Sequence, residues 1–147
     1  MKPLSKQATA IFNKLIEGLT KLGDHRKWDN AQGCFMAACI EIIDETKAGK
    51  IVSVAHYYEQ NSDLMRDPDV CFLISNGTFT SEEVGVFPLS FRQDNLGIDR
   101  QTAAVREDGH IVCYPKQQRD LTRFCDQWMT NIADQQFINE DNNDRTS

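Results

Sequence analysis

From Ile51 to Tyr114 the apolar residues recur at every second position, and short turn signals interrupt them at close intervals. Period two marks strands whose side chains alternate between two faces. IVSVAHYYEQ, from Ile51, reads as a first strand. NSDLMRDPD reads as a turn, since Asn, Ser and Asp favour turns and Pro68 lacks a ladder donor. VCFLIS is a second strand, closed by Asn76-Gly77. VGVFPLSFRQD is a third, with Phe87, Leu89 and Phe91 on one face and Pro88 marking an edge or a bulge. The stretch from Ile98 to Arg106 is a fourth, Asp108-Gly109 a hairpin signal, and HIVCY a short fifth. Strands joined by such short turns build an antiparallel meander, because parallel pairs need a long crossover between them.

Helical spacing flanks this region. From Leu4 to Leu22 the apolar positions are Ala8, Ile11, Phe12, Leu15, Ile16 and Leu19, with Ser5 to cap the start and Gly23 to stop the end. After the polar connector GDHRKWDN, the spacing of Met36, Cys39, Ile40 and Ile43 predicts a second helix from Ala31 to Thr46. Asp29 or Asn30 would cap it and Gly49 close it. Pro115 introduces a last helix striped by Leu121, Phe124, Cys125, Trp128 and Ile132. The expected architecture is therefore α+β: two N-terminal helices, an antiparallel meander sheet of four to five strands, and a C-terminal helix packed on one sheet face. One domain is expected over residues 1–136, followed by a disordered acidic tail over 137–147. The sheet face away from the helices should stay partly open, to be solvated, paired with a second copy or bound by a partner.

Charge narrows the partners. Sixteen basic against 22 acidic residues give a net charge of −6, whereas a duplex-binding surface shows a basic footprint. No direct nucleic-acid binding is expected. The five cysteines form no CxxC pair and each lies in an apolar run, which suits a reducing cytoplasm. No signal peptide and no apolar run of about 18 residues is present, so neither export nor a membrane is expected.

The densest polar segment runs from His56 to Asp69. If Val52 and Val54 face the core, His56 shares their face while Tyr57 and Glu59 point away. His56 then reads as a hydrogen-bonded core residue and cannot pair with Glu59. The candidate contact residues are Tyr57, Glu59, Asn61, Asp63, Arg66, Asp67 and Asp69, together with Arg92, Gln93 and Asp94 at the end of the third strand. Arg66 and Arg92 could pair with Asp67, Asp69 or Asp94, and Tyr57 adds apolar area with a polar tip. The alternative is a divalent cation on Asp63, Asp67 and Asp69, helped by Glu59, since hard cations take clustered carboxylates. Calcium-loop spacing, a nucleophile elbow, a phosphate loop and a dinucleotide fingerprint are all missing, so no catalytic residue and no cofactor is assigned.

The strings FMAACIEII, VAHYYEQNSDLMRDPDV, PLSFRQDNLGI and LTRFCDQWMTNI, spanning roughly residues 34–136, carry a resemblance. They resemble the landmarks of an uncharacterised small-domain family, a domain of unknown function carried on plasmids, integrative elements and phages. Its HYYEQN strand runs into a DLM turn, followed by an FRQD strand end and a tryptophan-bearing last helix. They match His56 to Met65, Ser90 to Asp94 and Trp128. Ser62 stands where relatives often carry glycine, and Asp99 where an aromatic is usual. The first helix lies outside the likeness. The resemblance implies a shared fold and a mobile-element setting. With it, the expected function is a non-enzymatic binding protein that modulates a host or element-encoded macromolecule, of anti-CRISPR or anti-restriction type, with homodimerisation possible. The alternative is a metal-dependent hydrolase or nuclease using Asp63, Asp67 and Asp69.

Overall fold

The computed structural model describes residues 1–30, 36–77 and 84–138. Helix α1 spans Lys6–Ile16, and the Ser5 hydroxyl caps it by accepting from the Ala8 amide at 3.1 Å. Such a cap stabilises a helix by about 1 kcal/mol. The helix stops six residues short of the expected Leu22, because Gly18 at φ +87° turns the chain away directly after the last turn. Strands β1 (His25–Trp28), β2 (Ala38–Thr46), β3 (Gly49–Gln60), β4 (Asp63–Ser75), β5 (Gly85–Gln93) and β6 (Ile98–Gln101) follow. They lie in one antiparallel sheet in chain order. A separate hairpin pairs β7 (Ala103–Val105) with β8 (Ile111–Cys113), and α2 spans Pro115–Gln135.

The antiparallel meander, the Ser5-capped first helix and the last helix are as the sequence predicts; the second helix, the strand count and several strand boundaries are not. The helix expected from Ala31 to Thr46 is strand β2 from Ala38 on, and residues 31–35 lie outside the described residues. Ala38, Ile40 and Ile42 are buried while Glu41 and Ile43 are exposed, so the segment alternates as a strand must. The connector before it supplies β1, which pairs with β2 from His25↔Glu41 to Trp28↔Ala38. The expected turn over NSDLMRDPD is only Asn61-Ser62, since β4 begins at Asp63. The expected fourth strand is divided into β6 and β7 by buried Thr102, whose amide and hydroxyl both donate to the Leu89 carbonyl at 2.8 Å. The sheet thus has six strands, with two more in the hairpin.

Pro88 sits in a bulge. The β4–β5 register shifts between Cys71↔Ser90 and Phe72↔Pro88, which breaks the expected common face of Phe87, Leu89 and Phe91. Phe87 and Leu89 turn to one side of the sheet and Phe91 to the other. The Pro88 carbonyl accepts from fully buried Gln118 of α2 at 3.1 Å, and the Gln118 side chain also brackets Lys2 through its amide and carbonyl. One buried amide therefore ties the N-terminus, the bulge and the last helix together.

The main core lies between the helices and one sheet face. Ala8, Phe12 and Leu15 of α1 and Leu121, Trp128, Met129 and Ile132 of α2 pack on Ile40, Ile42, Val52, Val54, Val70 and Phe72. The Phe12 and Phe72 rings meet at 5.1 Å. Packing reaches Ile138, which is buried in this core; residues 139–147 of the expected tail lie outside the described residues. On the other face, Leu73, Phe87 and Leu89 are covered by Ala103, Val105 and Ile111 of the hairpin. That cover reaches only one end of the sheet.

Candidate recognition site

At the uncovered end, strand register aligns the outward side chains in two rows. One runs Lys27, Cys39, Ala55, Asp69, Arg92, Asp99; the next runs His25, Glu41, Ser53, Cys71, Ser90, Gln101. Small residues occupy the centre, where Ser53 and Ala55 are buried and Cys39 and Cys71 half-buried, and longer polar ones the rim. Asp69 and Arg92 face each other directly across β4 and β5. The Ser53 hydroxyl donates to Asp69 Oδ1 at 2.6 Å, a short charge-assisted bond that fixes the carboxylate on the sheet. Arg92 pairs instead with Asp99 at 3.4 Å, and both are exposed, a geometry that contributes little to stability. Tyr57 stands beyond Asp69 on the same face. Partial burial, then the Asp69 charge, pushes its phenol above the ordinary range, so the hydroxyl keeps its proton.

Arg66 closes this end of the sheet. Its backbone amide donates to Asp94 Oδ2 at 2.8 Å, and its Nε donates to both carboxylate oxygens at 3.0 and 3.2 Å. The guanidinium holds the Asp94 carboxyl below its ordinary value. Of the pairings open to Arg66 and Arg92 in the sequence, only Arg66 with Asp94 is formed.

The β3–β4 register shifts between Ala55 and Tyr57, opposite Asp67-Pro68, and this sends Asp67 and Asp69 to opposite sides of the sheet. On the helix side, Asp67 accepts from the Gln93 amide at 2.7 Å and borders a groove of about 380 Å³ between the strand ends and α2. Aromatic rings form its wall. Phe91 meets Phe124 edge-on at 5.4 Å, Phe124 stacks on Trp128 at 5.9 Å, and Trp128 meets the His56 ring edge-on at 5.5 Å. His56 is buried, and its Nδ1 lies 2.9 Å from the Ala37 carbonyl oxygen. Burial lowers its pKa, so the ring is neutral near pH 7.

A family model, the domain of unknown function DUF6908, matches residues 6–138. The chain belongs to the DUF6908 family. The match takes in α1, which the likeness seen in the sequence leaves out. No curated protein and no solved structure matches the chain.

The ten sequence-nominated contact residues of this DUF6908 domain thus divide into three groups. Tyr57, Arg66, Asp69, Arg92 and Asp94 gather on or beside the uncovered face. Asp67 and Gln93 bond to each other in the groove on the helix side. Glu59, Asn61 and Asp63 stand exposed at the tip of the β3–β4 hairpin. Asp63, Asp67 and Asp69 do not converge, and among the described residues no three His, Cys, Asp or Glu side chains could hold a metal ion. Nothing in the sequence marks the groove. There His56, Trp128 and Phe124 read as packing residues, and no local signal says that a helix stripe and a strand end will share a solvent-reaching wall.

Proposed function

We propose that this chain is a non-enzymatic binding protein that engages a protein partner through the uncovered half of its sheet, with Tyr57, Asp69 and Arg92 as principal contacts. The observation that carries this reading is the pair of six-residue rows that belong to neither core cluster, with Ser53 and Ala55 buried at the centre and Arg92 and Asp99 exposed at the rim. The face has a centre of small residues and a rim of mixed sign: Lys27, Asp69, Arg92 and Asp99 alternate along one row. Mixed charge supplies no phosphate track, but it suits a protein surface of complementary pattern, where it sets specificity and encounter rate. In the setting that the family resemblance implies, the partner is a host or element-encoded protein such as a defence complex, and the net charge of −6 favours competition with nucleic acid for a basic partner.

The test is parallel capture from host lysate with tagged wild-type protein, Arg92→Glu, and Arg123→Glu, an exposed charge on α2, as a control away from the face. A partner held by wild type and control but lost with Arg92→Glu is the expected result. Recovery of nothing at low salt, or of the same proteins by all three, would sink the reading. Arg92 is exposed, so the variant should melt within a few degrees of wild type.

A further inference from the structure

We propose that the groove between the β3–β5 strand ends and α2 is a second, separate site, and that it binds a guanidinium cation between Asp67 and the Trp128–Phe124 wall. His56 is only 5% exposed, and a backbone carbonyl can only accept, so the ring nitrogen bonded to Ala37 carries the proton. Nε2 is then a bare acceptor. Among the described residues it has no hydrogen-bond partner, yet none of their buried side-chain nitrogens or oxygens is left unpartnered. Nε2 therefore opens on the groove. Asp67 engages one oxygen with Gln93 and leaves the other unbonded among the described residues; because Gln93 spends its amide on Asp67, its own carbonyl oxygen remains an acceptor.

Three acceptors, one of them charged, thus face a cavity lined, among the described residues, by no basic side chain; Asn131 and Gln135 add amides that can donate as well as accept. The nearest arginine on β4, Arg66, is committed to Asp94. The Asp67 carboxylate has no cationic partner among the described residues, so the ligand that complements this lining carries positive charge and several donors. The aromatic wall selects further, since a delocalised planar cation stacks on the exposed Phe124 ring, itself stacked on Trp128, while its N–H fork reaches a carboxylate; an ammonium offers no such plane. An arginine side chain of a partner and a free guanidinium compound present the same group.

The experiment titrates wild-type protein with methylguanidinium, with N-acetyl-arginine methylamide and with methylurea, following the two tryptophan indole N–H signals by NMR. Trp28 donates to the Leu15 carbonyl, away from the groove, and serves as internal reference. The expected result is a saturable shift of the Trp128 signal with both cations, none with neutral methylurea, and at least tenfold weaker binding in Asp67→Asn. Tenfold tighter binding of the arginine derivative than of methylguanidinium assigns the cation to a protein side chain; equal binding assigns it to a free small molecule. A methylurea shift equal to that of the cations overturns the proposal, and so does undiminished affinity in a folded Asp67→Asn. Wild-type titration needs no variant to fold. The groove and the uncovered face lie on opposite sides of the sheet, so Arg92→Glu should leave these titrations unchanged, and either site can fail without the other.

Discussion

Gly49 opens β3 at φ +140°, and a Cβ built there would stand 1.9 Å from the Ile74 carbonyl oxygen. Backbone cannot yield as the end of a side chain can, so the β2–β3 turn and the β4 ladder would have to separate. Gly49→Ala should therefore cost at least about 2 kcal/mol, read as a lower urea midpoint with an unchanged slope. In the sequence alone this glycine reads as the stop of a helix. The residue-scale demand for glycine was legible, but its cause, the approach of a strand distant in sequence, was not. Alternation fared better nearby. It put His56 with Val52 and Val54 and turned Tyr57 outward, and both sit so. What alternation cannot supply is the bulge opposite Asp67, which separates two aspartates that strand periodicity would have kept on one face.

At the scale of elements, β2 shows why a helix and a strand can be confused. Met36, Cys39, Ile40 and Ile43 fit a helical stripe, while Ala38, Ile40 and Ile42 fit alternation equally well in so short an apolar run. Pairing with β3 from Cys39↔Ala55 to Thr46↔Gly49 decides it, and that is information about another element. The β3–β4 hairpin shows the opposite error. Turn-forming aspartates were read as a turn, yet they lie in a 13-residue strand whose only loop is Asn61-Ser62, both at positive φ (54° and 69°). A two-residue loop of this kind prefers Asn-Gly, because only glycine takes the second position without steric cost. Ser62→Gly should stabilise the protein by about 0.5 kcal/mol, seen as a higher urea midpoint. A lower midpoint would mean that the loop does not adopt this geometry.

For the molecule as a whole, acid stability should fall in two steps with different owners. His56 is held below its ordinary pKa of 6.5 by burial against α2; the bond to Ala37 and the Asp67 charge oppose that shift without cancelling it. The folded state therefore binds fewer protons at this ring than the unfolded chain does. The stability so contributed is complete above pH 6.5 and is lost as pH falls from there through the depressed folded value. Asp24, Asp94 and Asp108 are lowered from 3.8 by hydrogen bonds, to Lys21, Arg66 and His110 respectively, and lose their share only as pH falls below that value. Melting temperatures measured from pH 8 to pH 3 should thus show an early decline beginning near 6.5 and a later one below about 4. His56→Gln replaces the titrating ring with a neutral amide of similar reach. It should flatten the early decline and leave the late one intact, whatever offset it adds at pH 8. A variant that keeps the early decline would place that proton uptake on another group.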